Sequence, residues 1–430
     1  MHASRVRTLY LETLTIEISP YVYLRISSTM RYRHTPLLPS LKNIYIPKNT
    51  SLDFSSALLL ASESSLNLVQ LVTSDRQIFI PFLSLLSVNS PDLAHLALCG
   101  TMDTSLELVP GFKNLQSLEL KLPGTYLGSQ ILQDLGELDN LLNMTLDTSA
   151  PIHAVQQDPT PRPDSFIKLK RLQLLGSPHS ITRVLGGMNI LMNLTTLIIY
   201  ETTDDSDPNT ESSRQSCFSI ISTFLALEDI EIIQSHSADR WHHYALSTSC
   251  LSSLYKLPNV TSFVINNSTL SGSDDDFLLL ACAFPKLKKF VEPCVSYYSE
   301  GRTLASLLHF SQINRDLREI KISLSSNISE NLKAINVSGR PILQDHQHPL
   351  EKLYIASSFS SLNLADMIRV AQFLDLIFPN LSTLEAYDSS STHEALNWTQ
   401  IQQIRVALRA ARINASTASK ICEERGEHGM

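Results

Sequence analysis

Leu115-Gln-Ser-Leu118-Glu-Leu120 is followed 26 residues later by Leu141-Leu-Asn-Met144-Thr-Leu146, and 28 after that by Leu169-Lys-Arg-Leu172-Gln-Leu174. Each hexad reads apolar, x, x, apolar, x, apolar. Its last two apolar residues stand two apart, so they share one face of a strand while the residue between them points the other way. Working outward, the same hexad spans Val6–Leu11, Leu41–Ile46, Leu93–Leu98, Leu194–Ile199, Leu227–Ile232, Val260–Ile265, Leu317–Ile322 and Leu350–Ile355. Copies starting at Leu68, Leu287 and Leu381 lack the third apolar position. The fourteen starts lie 22 to 35 residues apart, and their mean of about 29 is the period of leucine-rich repeats.

One such unit cannot bury its own apolar face, so stacking is what makes the core. The expected fold is therefore α/β: an irregular leucine-rich-repeat solenoid of ribonuclease-inhibitor-like type, with parallel strands concave and helices convex. Fourteen strands would give a sheet roughly 60–65 Å long. Segments 51–62, 130–138, 215–226, 274–284, 302–313 and 363–378 read as the returning helices. Pro258, Pro285 and Pro379 stop three of the returning segments just before the next strand. Pro81 predicts an irregular turn between Val72 and Leu93. The array is expected over 1–392, with loop insertions at 150–165 and 201–215. A capping helix over 393–414 and a flexible tail over 415–430 complete the chain.

Composition narrows function. The 34 basic and 42 acidic residues give a net charge of −8, which offers no blanket attraction to nucleic acid or an anionic membrane; neither is an expected partner. The longest uncharged apolar run, Phe277 to Phe284, is far short of the ~20 residues that span a bilayer. Six scattered cysteines with no CxxC read as reduced thiols, so a cytoplasmic or nuclear location is expected. Eleven N-x-S/T sequons are present, but Asn143, Asn193, Asn259 and Asn380 fall at the starts of expected strands, and a chain this rich in Ser and Thr is expected to carry sequons by chance.

Nothing in the sequence assembles a catalytic or cofactor motif. GxSxG, HExxH, GxxxxGK[ST] and GxGxxG are all missing. His242-His243, and Asp345 with His346 and His348, read as loop residues rather than metal ligands. Asp274-Asp275-Asp276 reads as a helix start, and Gly186-Gly187 as a turn. The chain is expected to be no enzyme and to take no cofactor or metal.

The informative positions are the third and fifth of each hexad, which project from the sheet. They include Tyr10, Tyr45, Arg171, Asp229, Glu231, Lys289, Lys321, Lys352 and Tyr354. These residues are the expected partner-binding set on the concave face. The partner should straddle Asp229/Glu231 and the lysines, which as like charges about 5 Å apart would repel until a complementary surface offsets them.

Three stretches resemble one known group: the opening Ser4-Arg5-Val6-Arg7-Thr8-Leu9, Phe378-Pro-Asn-Leu-Ser-Thr-Leu384, and the Trp398-x-x-Ile401 helix. They look like the repeat region of fungal F-box-like leucine-rich-repeat proteins. That resemblance implies an N-terminal F-box docking on the adaptor of a cullin–RING ubiquitin ligase, and repeats that hold the substrate. No leucine-proline-rich helical segment precedes the first hexad, so an adaptor is an expected partner only where an F-box lies upstream. The expected function is non-enzymatic protein binding, either as the substrate-recognition part of an F-box-type receptor or as a free-standing scaffold or inhibitor.

Overall fold

The computed structural model of the chain describes residues 5–10, 25, 28, 38–46, 66–72, 76–100, 106–123, 125, 127–149, 165–188, 191–202, 210–235, 245–267, 269–292, 302–325, 348–356, 362–386, 396–411 and 414. The chain divides into two compact units, Met1–Leu227 and Glu228–Met430.

The first unit holds β1 Thr8–Tyr10, β2 Asn43–Ile46, β3 Leu68–Val72, β4 His95–Cys99, β5 Ser117–Lys121, β6 Asn143–Asp147, β7 Arg171–Gly176 and β8 Thr196–Thr202. Each pairs in parallel with the next in sequence. The second unit holds β9 Asp229–Ser235, β10 Ala245–Ser247, β11 Ser262–Asn266, β12 Thr269–Ser271, β13 Lys289–Val291, β14 Glu319–Ser323, β15 Lys352–Ala356 and β16 Thr383–Ala386. Its main parallel order is β9-β11-β13-β14-β15-β16, and β10 pairs with β12 in a small parallel sheet of its own. Parallel neighbours need a long crossover, and the helical returns supply it. Both units are leucine-rich-repeat arrays of the α/β kind.

The hexads stack in register and form apolar columns. Leu96, Leu118, Met144, Leu172 and Leu197 are each at most 1% exposed. Every such side chain contributes about 1.5–3 kcal/mol by burial. In the second unit the column turns aromatic. Phe290 of β13 meets Phe277 of helix Asp274–Ala283 edge-on at 5.9 Å and Phe310 of helix Leu304–Ile313 at 5.2 Å. Those helices therefore lie on the apolar side of the sheet, opposite the projecting rows.

Four expectations are corrected. The third hexad begins at Leu66, not Leu68: Leu68 pairs with His95, an outward position, while Leu66, Val69 and Leu71 are buried. The run Leu66, Leu68, Val69, Leu71, Val72 fits either phase in isolation, and the neighbouring strands select one. The link with Pro81 is a helix, Arg76–Asn89. Burial of Phe79, Phe82, Leu83 and Leu86 on one face outweighs the roughly 3 kcal/mol that an interior proline costs. Gly186-Gly187 closes helix Pro178–Gly187 instead of forming a free turn. The expected insertion at 201–215 is narrower, because Glu201 and Thr202 finish β8 and helix Thr210–Ile221 has begun by Thr210. The expected helix at 51–62, most of the 150–165 loop and the 415–430 tail lie outside the described residues.

A second ladder runs through the turns ahead of the strands. Asn193 Nδ2 donates to the Ile167 carbonyl at 2.6 Å, Asn140 accepts from Lys168 Nζ at 3.3 Å, and Asn259 accepts from Lys286 Nζ at 2.7 Å. Asn314 Nδ2 donates to the carbonyls of Ala281 and Phe284 at 3.2 and 2.7 Å. Asn380 Nδ2 donates to the His348 carbonyl at 3.1 Å, so the sequon residues Asn193, Asn259 and Asn380 each tie neighbouring repeats together. Past the last repeat, Trp398 and Ile401 of helix 396–411 are buried, and Arg405 donates to the carbonyls of Phe378 and Leu381.

Candidate functional site: the projecting rows

Because neighbouring hexads are in register, the third and fifth positions form two rows across each sheet. In the second unit one row reads Asp229, Ser262, Lys289, Glu319, Lys352, Thr383. The other reads Glu231, Val264, Val291, Lys321, Tyr354, Glu385.

This register changes the expected electrostatics. Lys289 and Lys352 are not adjacent; Glu319 stands between them and Lys289 Nζ lies 3.7 Å from its carboxylate. Lys321 sits in the other row, with Nζ 5.0 Å from the centroid of the Tyr354 ring. The positive charges are therefore interleaved with partners, and the expected accumulation of repelling lysines does not occur. Asp229 and Glu231 are separated from the lysine-bearing strand β13 by Ser262 and Val264, a gap of about 10 Å rather than 5 Å. Glu231 is held by Asn266 Nδ2 at 2.7 Å. Val291, although in a projecting row, is only 4% exposed and belongs to the core; the row's accessible apolar residue is the half-buried Val264, between Glu231 and Val291.

In the first unit, Tyr10 and Tyr45 stack with ring centroids 4.5 Å apart and planes 9° from parallel, and Tyr10 is 64% exposed. Such a pair presents a flat aromatic plate whose faces take apolar or cationic groups. Arg171 projects from β7 between Asn143 and Thr196. A further position the hexad rule overlooked follows the row: Lys121 pairs with Glu119 at 2.7 Å, beside Cys99. Burial, then the Glu119 charge, pushes the Cys99 thiol up, so it stays protonated and unreactive.

The expected chemical bystanders acquire definite roles. Asp274 Oδ1 accepts from the backbone nitrogens of Thr303 and Ser306 at 2.9 and 3.1 Å, and its Oδ2 accepts from Thr303 Oγ1 at 2.7 Å. With both oxygens occupied by the next helix start, this carboxylate is a clamp between repeats. Ser273 and Asp276 close a capping box on their own helix. His348 is 6% exposed, with Nε2 3.0 Å from the Asn314 carbonyl and Nδ1 accepting from Leu350 N at 3.2 Å. Its carbonyl accepts from Asn380, and its ring packs edge-on against Phe378. It takes the asparagine's place in the turn ladder; Asp345, His346, His242 and His243 lie outside the described residues.

The third apolar position missing from the Leu287 hexad is Glu292, fully buried. It pairs with Arg302 and accepts from Leu270 N at 2.8 Å, while Arg302 also donates to Ser323 Oγ at 2.9 Å and lies 5.0 Å from the centre of the Phe277 ring. Glu201 and Arg214 make a comparable buried pair in the first unit. Both pairs are buried; Glu201–Arg214 joins β8 to helix Thr210–Ile221, and Glu292–Arg302 joins the end of β13 to the start of helix Leu304–Ile313, with Arg302 Nε left without a hydrogen-bond partner. Among the described residues no group of three or more His, Cys, Asp and Glu side chains is arranged to hold a metal ion, and no helix is long and apolar enough to cross a membrane.

No known protein-family profile matches the chain, and no curated protein matches it in sequence. Solved structures do. A leucine-rich-repeat protein of Leptospira interrogans is similar at 14% identity with a TM-score of 0.32, over 83% of this chain and 91% of that one. A chain of the yeast Rad7–Elc1 complex is similar at 14% identity with a TM-score of 0.34, over 88% and 87%. A chain of the Drosophila Toll–Spätzle complex is similar at 11% identity with a TM-score of 0.44, over 88% of this chain and 49% of that one. The repeat assignment for this chain rests on its own register and apolar columns.

Proposed function

We propose that this chain is a non-enzymatic protein-binding array that holds a protein partner on the projecting rows of its sheet. One observation carries this reading: the second unit's rows set lysine, glutamate and tyrosine side by side on a parallel sheet, with the half-buried Val264 in the same row. An aromatic anchor ringed by alternating charge is the composition by which protein interfaces gain affinity at the centre and selectivity at the rim. Within this reading, the resemblance of the hexads and closing helix to F-box-like repeat proteins supports a role as the substrate-recognition part of a ubiquitin-ligase receptor. A free-standing scaffold or inhibitor uses the same rows without a ligase.

Partner capture from lysate tests the proposal. A variant with Lys289, Lys321 and Lys352 all changed to Glu is compared with a control on the helix side, Gln312→Glu/Arg369→Glu/Gln372→Glu. Recovery should fall about tenfold for the row variant and stay unchanged for the control. Equal recovery from both folded proteins would sink the proposal. A ligase adaptor recovered alongside the partner selects the receptor form; a partner recovered without one selects the scaffold.

A further inference from the structure

The second hexad position, one residue ahead of each strand, makes a file of its own at the sheet's N-terminal edge. Thr261 N donates to the Glu228 carbonyl at 2.7 Å, Lys288 N to Thr261 at 2.7 Å, Arg318 N to Lys288 at 2.8 Å, and Glu351 N to Arg318 at 3.0 Å. Those bonds place Lys288 and Arg318 side by side at strand spacing, about 5 Å, and both side chains are exposed. The turns just before them add exposed Lys286 and Arg315, against a single carboxylate, Asp316. With Glu351, which the same spacing puts beside Arg318, four cations face two acids, an excess of +2 in a chain whose net charge is −8.

Two of the three row lysines are already engaged. Lys289 has Glu319 and Lys321 has Tyr354. Among the described residues Lys288, Arg315 and Arg318 have no ion-pair partner, and Lys286 reaches only the neutral Asn259 side chain. Like charges at this spacing repel, and a carboxylate placed between them turns the repulsion into attraction. The guanidinium forks of Arg315 and Arg318, three residues apart, suit bidentate carboxylate pairing.

The extent of the patch selects the ligand. The file is positive for only two repeats and is bounded by Glu228 on one side and Glu351 on the other. A nucleic acid or an anionic bilayer presents charge far beyond that width and would meet both glutamates. A short run of Asp and Glu fits between them. We propose that Lys288, Arg315 and Arg318 form a docking site for a short acidic segment of a protein partner, outside the projecting rows. This deepens the protein-binding reading and rests on it.

The test uses the full chain and a fluorescent Asp/Glu-rich peptide, with its Asn/Gln isostere as reference. Single-stranded DNA and phosphatidylcholine vesicles containing phosphatidylserine serve as competing probes. The acidic peptide should bind, more weakly as salt rises, and the isostere should not. The folded variant Lys288→Glu/Arg315→Glu/Arg318→Glu should lose about tenfold in affinity, the combined worth of three exposed ion pairs. The row variant Lys321→Glu/Tyr354→Ala should stay within about twofold of the unmodified chain. No peptide binding, equal binding of the isostere, undiminished binding by the edge variant, or tighter binding of DNA or vesicles overturns the site. With the captured partner, loss by the row variant but not the edge variant overturns the edge site alone; loss by neither overturns the protein-binding reading as well.

Discussion

Along the first unit the fifth-position row runs Tyr10, Tyr45, Gln70, Ala97, Glu119, Thr145, Gln173, Ile198, whereas in the second it runs Glu231, Val264, Val291, Lys321, Tyr354, Glu385. The backbone and the leucine columns behind both rows are alike. The first surface is mostly neutral and ends in a stacked aromatic plate; the second mixes charge, an apolar spot and a cation over a ring. Columns hold a repeat together and rows are free to vary, so the two faces can evolve separate recognition chemistry on one scaffold.

The units also share a buried Glu–Arg pair, and the largest predicted effect sharpens that likeness into a difference. Arg302→Ala should destabilise the protein by about 3–5 kcal/mol, because Glu292 is left buried and uncompensated. Arg214→Ala should cost less: Glu201 has fewer dependants, while Arg302 also serves Ser323 and the Phe277 ring. Urea unfolding of both variants decides it, and a larger loss from Arg214 would break the comparison. The double change Glu292→Leu/Arg302→Met should cost less than Arg302→Ala, since no charge is left buried and the column receives the apolar residue its hexad lacks, although Leu270 N and Ser323 lose a partner.

Asn314→Ala comes next, at about 1–3 kcal/mol, since it removes the donors to Ala281 and Phe284 from a buried turn. Asn193→Ala, in the first unit's turn ladder, loses one more exposed bond and should cost less than about 1 kcal/mol. The ladder's histidine adds a pH dependence found in the second unit's turns. Burial lowers the His348 pKa from 6.5 in spite of the Asn314 carbonyl, which pulls it up. The unfolded chain therefore binds more protons than the folded one as pH falls below 6.5. The contribution of His348 is complete above that value and is lost as pH drops toward the lowered folded pKa. Urea midpoints at about pH 7.5 and about pH 5.5 should differ more for the native chain than for His348→Gln; equal differences would contradict the assignment. The smallest effect belongs to the row itself. Lys289→Ala should change stability by less than about 1 kcal/mol, as the pair with Glu319 is exposed.

The repeat was legible because burial imposes a period, and fourteen copies average out individual departures. What escaped was whatever a neighbouring repeat decides. The phase of the Leu66 hexad, the helix through Pro81 and the burial of Glu292 each depend on residues far along the chain. The site was legible in its members and not in its pairing: the hexad rule finds Lys289, Lys321, Lys352 and Tyr354, but only register shows Glu319 between two of them. Lys288 and Arg318 were missed because the second position lies ahead of the strand. Its signal, a basic residue at that position in two consecutive repeats, is present in the sequence.

Titration of the captured partner against the row variant Lys289→Glu/Lys321→Glu/Lys352→Glu and the helix-side control Gln312→Glu/Arg369→Glu/Gln372→Glu measures what the projecting rows contribute to binding. The affinity should be about tenfold or more weaker for the row variant and within about twofold of the unmodified chain for the control. Equal affinities, or a loss confined to the control, would contradict binding by the rows.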